Sequence, residues 1–150
     1  MIAAQCFHWF ANEKSLSEIQ RVLVPGGKLG LVWNLPDYSV PWIKEICDDV
    51  IFPLYAQSNT PNVYGGEWKR MVIASDKFGS LEGDESFTSE LTIDEFIREL
   101  SSFSVIVVKS DKEKKMIIDK IKSILNKHKK LEKNTFILPK KFEMYWCERT

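Results

Sequence analysis

The sequence predicts an α/β fold, a sheet with helices on both of its faces. Three observations carry this: a strand–helix–strand unit in residues 1–34, capped amphipathic helices after it, and an alternating segment at the carboxyl end. With 150 residues, 44% hydrophobic and 28% charged, and formal net charge zero, the chain suits a single globular domain, 1–150.

The opening MIAAQ reads as the last residues of a buried strand, and CFHWFAN as an aromatic loop. A helix is then expected to open at Ser15, with Glu18 three residues on completing a capping box. Leu16, Ile19, Val22 and Leu23 share one face of it. Pro25 prevents its continuation, and Gly26-Gly27 supplies the positive φ needed to leave a helix. KLGLVW, short and mostly apolar, breaks at Asn34 and reads as an interior strand covered on both faces. A connection of this length with one helix is the right-handed crossover between parallel neighbours. It puts both strand carboxyl ends on one rim, where open α/β sheets bind ligands.

The second helix has Pro41 in its first turn and Ile43, Ile46, Cys47, Val50, Ile51 and Leu54 at helical spacing, with Pro53 expected to kink or end it. Residues 57–68 read as loop, Glu67 to Ala74 as a helical turn, and Phe78 to Leu91 as a weak strand or hairpin. Thr92 with Glu95 and Ser110 with Glu113 form two further capping boxes. The second opens a long helix to about Lys130, with Ile117, Ile121, Ile124, Leu125 and His128 on its inner face. The tail alternates around Phe142, Met144 and Trp146 and reads as a closing strand.

Zero net charge provides no argument for nucleic acid or an acidic membrane as partner. Glu82 to Glu99 carries seven acids against one Arg, and Lys109 to Lys133 ten Lys against four acids. These segments can attract each other. The lysines alternate with an apolar stripe without aromatic interleaving, so a solvated helix face is the reading. Three cysteines, Cys6, Cys47 and Cys147, lack CxxC spacing and are expected as reduced thiols in the cytoplasm. MIAAQCFHWF does not read as an export signal, no run reaches the ~18 apolar residues a spanning helix needs, and no metal site is expected.

HWF, EIQRVLVPGGKLGLVWN and YWCER occur in this order. With them the chain resembles the carboxyl half of class I S-adenosylmethionine-dependent methyltransferases. Within these it is most similar to the methyltransferase type 11 set that includes fungal trans-aconitate methyltransferase-like proteins. The likeness is most specific over residues 3–34. It implies part of a Rossmann-like sheet of seven strands, from the end of the fourth strand onward. It also implies S-adenosylmethionine as cofactor and a small-molecule methyl acceptor, a carboxylate or other oxygen. The family's glycine-rich loop after its first strand and acidic residue after its second have no counterpart here. Gly26-Gly27 and Gly65-Gly66 lack the GxGxG spacing. The amino-terminal cofactor-binding half is therefore expected to be missing, and this chain to be inactive alone.

The resemblance places Gln5, His8 and Trp9 at the floor of the cofactor pocket. Trp9 reads as pocket or as packing, and His8 as pocket or as a ring bonded to a carbonyl. Trp33 and Asn34 end the neighbouring strand on the same rim and become candidates for the acceptor site, against core and turn readings. Trp42, Tyr64 and Trp68, with Tyr55, belong to an insertion that covers the acceptor in the resembling enzymes, or to a helix packed on the sheet. Asp48 and Asp49 read as solvated surface. A reading of another class is a non-catalytic domain that binds a protein through an exposed edge strand.

Overall fold

The computed structural model describes residues 1–128 and 135–150, without the side chains of 85–90, 135–137 and 139–140. Two compact units share the chain. The first comprises Met1–Leu35, Pro61–Phe87 and Lys141–Thr150, the second Pro36–Thr60 and Thr88–Lys140. Strands β1 (Ile2–Ala4), β2 (Lys28–Pro36), β3 (Glu82–Thr92) and β4 (Thr135–Glu148) hydrogen-bond in the order β1-β2-β4-β3.

In the first unit the predicted crossover is present. Helix α1 (Glu13–Val22) joins β1 to β2, which run parallel in the register Ile2↔Gly30, Ala3↔Leu31, Ala4↔Val32. The helix starts three residues earlier than the capping box implied. Asn12, with extended backbone, accepts from the Ser15 N–H at 2.9 Å, which puts Ser15 inside the helix and leaves Glu18 to fork Arg21 at 2.7 and 2.8 Å. Asn caps as well as Ser, so the earlier cap wins once its backbone is extended. Of the two turn glycines, only Gly26 has positive φ, at 73°. Gly27 is required by close approach instead, since a Cβ there would lie 2.7 Å from the Val24 carbonyl oxygen.

Leu29, Leu31 and Trp33, every second residue of β2, are fully buried. They form one core with Phe7, Leu16 and Ile19, with Trp68 and Val72 of α4 (Glu67–Ala74), and with Phe78 and Cys147. The expected cover on both faces is met on one: Gly30 and Val32 are only part-buried, and Ile2 is 76% exposed. β1, whose residues MIAAQ read as the end of a buried strand, lies at the edge of the sheet, because no strand lies beyond it among the described residues, whereas β2 has β1 and β4 on its two sides.

The closing strand β4 forms, but its buried phase is opposite to the expected one. Cys147 is buried and Tyr145 packs on the core, whereas Phe142 and Met144 are each 38% exposed. A strand's two faces are interchangeable until something packs on one of them, and a shift of one residue exchanges them all. Here α1 and α4 make the choice. Trp146 donates to Glu82 at 2.9 Å. The chain end is stapled by the Arg149 N–H to the Gly27 carbonyl at 2.8 Å and by the Arg149 guanidinium to the Leu23 carbonyl. Of the strand and hairpin readings of Phe78 to Leu91, the strand is the one that forms, as β3 (Glu82–Thr92).

In the second unit, α2 (Pro41–Ile46), a π turn (Cys47–Ile51) and α3 (Phe52–Ser58) follow one another without a break. Pro41 starts the run as expected, but Pro53 does not end it. The π turn places Pro53 in the first turn of α3, where a missing N–H is tolerated. The Asp49 carbonyl, which Pro53 cannot serve in an α-helical pattern, instead accepts from Lys120 Nζ at 2.6 Å.

Both remaining capping boxes form, Thr92 with Glu95 at the start of α5 (Ile93–Ser101) and Ser110 with Glu113 at the start of α7 (Asp111–Lys127). Between them an unanticipated turn, α6 (Ser104–Val107), buries Val105 and Ile106. The predicted inner face of α7 holds: Ile121, Ile124 and Leu125 are buried and Ile117 packs beside them. His128 and Lys127 share the Glu45 carboxylate at 2.8 Å each, which holds that carboxyl below its ordinary range. The expected last helical residues, 129 and 130, lie outside the described residues. No helix among the described residues is long and apolar enough to cross a membrane.

Candidate functional site

The rim begins at Gln5, where β1 ends. Its φ is +60°, a left-handed conformation that costs a non-glycine residue roughly 1–2 kcal/mol. Two hydrogen bonds to β2 hold it there, from its N–H to the Val32 carbonyl at 2.8 Å and from its side-chain amide to the Asn34 carbonyl at 3.3 Å. Gln5 and Asn34, singled out separately in the sequence, thus meet, and Asn34 meets Gln5 through its main chain. Both side chains are exposed.

The sharp turn at Gln5 leads into a 3-10 turn, Phe7–Trp9, anchored by the fully buried Phe7. His8 follows from that anchor. Its Nδ1 accepts from the Trp33 indole N–H at 3.3 Å, so its partner is a side chain of β2 and not the expected carbonyl. Burial holds the His8 imidazole below its ordinary value of 6.5. Trp9 lies beside it, ring centroids 5.6 Å apart, and remains 48% exposed.

Behind His8 stands an aromatic stack. The Trp33 and Trp68 rings are 4.4 Å apart, and Tyr145 stands edge-on to both, at 6.4 and 5.1 Å. Trp68 donates its indole N–H to the Val63 carbonyl at 3.1 Å, and Lys69 Nζ sits 4.7 Å over the Tyr145 ring. Tyr145 is the member that sequence reasoning missed. The signal was available, because Tyr145 and Cys147 are two apart and therefore share a face of β4.

Tyr64 is half-buried in the loop before α4. Trp42 belongs to the second unit, where it is 4% exposed and meets Phe96 edge-on at 5.7 Å. Asp48 bonds Lys44 and Tyr38, a surface cluster within that unit. The structure therefore brings together Gln5, His8, Trp9, Trp33, Asn34 and Trp68 in the first unit, and puts Trp42 in the core of the other. Among the described residues no group of three His, Cys, Asp or Glu side chains is placed to hold a metal ion. Cys47 and Cys147 are buried thiols pushed up to about 11 by desolvation, which makes them poor nucleophiles.

What the rim offers is an exposed indole face, a half-buried imidazole and the amides of Gln5 and Asn34. Chemically, such a set is able to accept a small polar or cationic group.

No family model matches the chain. It is 39% identical over 118 residues to an uncharacterized methyltransferase-like protein of Schizosaccharomyces pombe, a match over 78% of this chain and 44% of that protein. A second S. pombe protein, an uncharacterized methyltransferase, is 66% identical over 41 residues, 27% of this chain and 16% of its own. An uncharacterized methyltransferase of Mycobacterium bovis is 44% identical over 46 residues, 31% of this chain and 19% of its own. The chain spans less than half the length of these curated relatives. The names they carry support a methyltransferase relationship for the matched part of this chain.

Proposed function

We propose that this chain is the carboxyl-terminal part of a class I S-adenosylmethionine-dependent methyltransferase of the type 11 kind. The observation that carries the reading is the parallel β1–α1–β2 crossover, which delivers Gln5, His8, Trp9, Trp33 and Asn34 to one rim. Trp9 suits the sulfonium of the cofactor, since a cation over an indole face gains up to ~2 kcal/mol when desolvated. In the transfer the sulfonium C–S bond breaks as the bond from the acceptor oxygen forms, and the electron pair stays on sulfur. The acceptor is a small molecule bearing a carboxylate or other oxygen. Positioning alone provides ~7–11 kcal/mol in well-oriented cases, so no covalent nucleophile is required.

The chain by itself is proposed to lack the cofactor cradle and to be inactive. Its glycine pairs have other duties: Gly26-Gly27 make the α1–β2 turn, and Gly66, with φ 67°, starts α4. Calorimetric titration of S-adenosylmethionine into the purified 150-residue chain is expected to give no heat. Binding at micromolar concentration would overturn this. The three free thiols support a reducing, cytoplasmic setting.

One observation favours a second reading, a protein-binding role through the open edge. Ile2 of β1 is 76% exposed on a strand that, among the described residues, has a neighbour on one side only. Under it, sedimentation shows concentration-dependent association that Ile2→Lys abolishes. A chain that stays monomeric, with nothing co-purifying, counts against it.

A further inference from the structure

We infer that Trp33 is a positioning residue whose indole N–H holds His8 in the neutral Nε2–H tautomer, so that His8 meets a ligand as a hydrogen-bond donor and not as a base. The inference rests on the reading of this rim as a binding site and goes beyond it by assigning a proton. An indole N–H only donates, so the His8 Nδ1 that it reaches at 3.3 Å must offer a lone pair. In a neutral imidazole the proton then sits on Nε2. Protonating Nδ1 as well would set one N–H against another.

Trp33 is unable to turn away. It is fully buried, 4.4 Å from the Trp68 ring, and flanked by Tyr145. Phe7, also fully buried, anchors the turn that carries His8. On the other side of the imidazole, Nε2 has no hydrogen-bond partner among the described residues, and the nearby Gln5 amide is committed to the Asn34 carbonyl. A half-buried N–H without a protein partner selects for an acceptor atom on the ligand, a carbonyl or carboxylate oxygen, and disfavours another donor. With Nε2 already protonated and Nδ1 occupied, His8 has no lone pair with which to remove a proton.

The test is nitrogen NMR of the 150-residue chain with ¹⁵N-labelled imidazoles at neutral pH. The chain has two histidines, His8 and His128, and His8→Gln assigns them. The expected spectrum has a bare His8 Nδ1 and a protonated Nε2. In Trp33→Phe, which keeps an aromatic ring and loses the N–H, the two tautomers are expected to mix. A dominant Nδ1–H form in the parent chain, or a spectrum unchanged by Trp33→Phe, overturns the assignment. Should Trp33→Phe fail to fold, the parent chain labelled with ¹⁵N throughout decides by the coupling across the hydrogen bond between the Trp33 indole nitrogen and His8 Nδ1: its presence is expected, and its absence overturns the assignment. The readout involves no cofactor, so it is independent of the titration that tests the methyltransferase reading.

Discussion

Replacing Trp33 with alanine is expected to lower the stability of the chain by about 3–5 kcal/mol, the range for emptying a large aromatic site in a packed core. Trp33 is fully exposed to its neighbours and not at all to water. Its ring holds Trp68 and Tyr145 on one side and hydrogen-bonds His8 on another, so its loss leaves a cavity and an imidazole without its donor. Urea unfolding is the measurement, and a midpoint lower by more than about 1 M is expected at ordinary denaturant sensitivity. Val24→Ser is the control. Val24 is 70% exposed, and a change there should stay within about 0.5 kcal/mol. A Trp33→Ala loss as small as the control's would mean that the stack does not hold the first unit together.

The second large effect is expected in the other unit. Leu125→Ala should cost about 2–5 kcal/mol. Leu125 is fully buried on α7 within the cluster that includes Trp42, Ile46, Phe96 and Ile121. The spread depends on how far the surroundings collapse into the space. Capping boxes fix the starts of α5 and α7, and the Lys120 bond to the Asp49 carbonyl ties α7 to the π turn. Such restraints argue for little relaxation and the upper half of the range. Met116→Ala, on the same helix at 64% exposure, should be close to neutral. Equal effects at positions 116 and 125 would contradict the assigned inner face.

The features legible in the sequence are those set by neighbours a few residues apart. Thr92 with Glu95 and Ser110 with Glu113 were readable because a capping box closes within one turn. The inner face of α7 followed from helical spacing. The crossover followed from the length of the connection and from the handedness of parallel units. At the rim, the shared ends of β1 and β2 were predictable for the same reason, which is why Trp33 and Asn34 could be set beside Gln5, His8 and Trp9, the residues that the family resemblance had singled out.

The misreadings involve partners distant in the chain or choices between locally equivalent options. Asn12 and Ser15 are both competent caps, and it is Asn12 whose backbone is extended and whose side chain accepts from the Ser15 N–H. Pro53 should break an α-helix, and it is the π turn, with Lys120 from α7, that lets the chain run on. Tyr145 escaped notice because its neighbours Trp33 and Trp68 are far away in sequence.

By itself, then, the sequence determined the α/β class, the parallel crossover and its rim, and the capped starts of α5 and α7, since propensity, capping and periodicity are local quantities. Only the tertiary structure decided which face of β4 is buried, that β1 is an exposed edge, that Trp42 packs in the second core, and that His8 answers to an indole N–H. Each of these depends on what lies opposite a side chain in space, and periodicity along the chain carries no information about that.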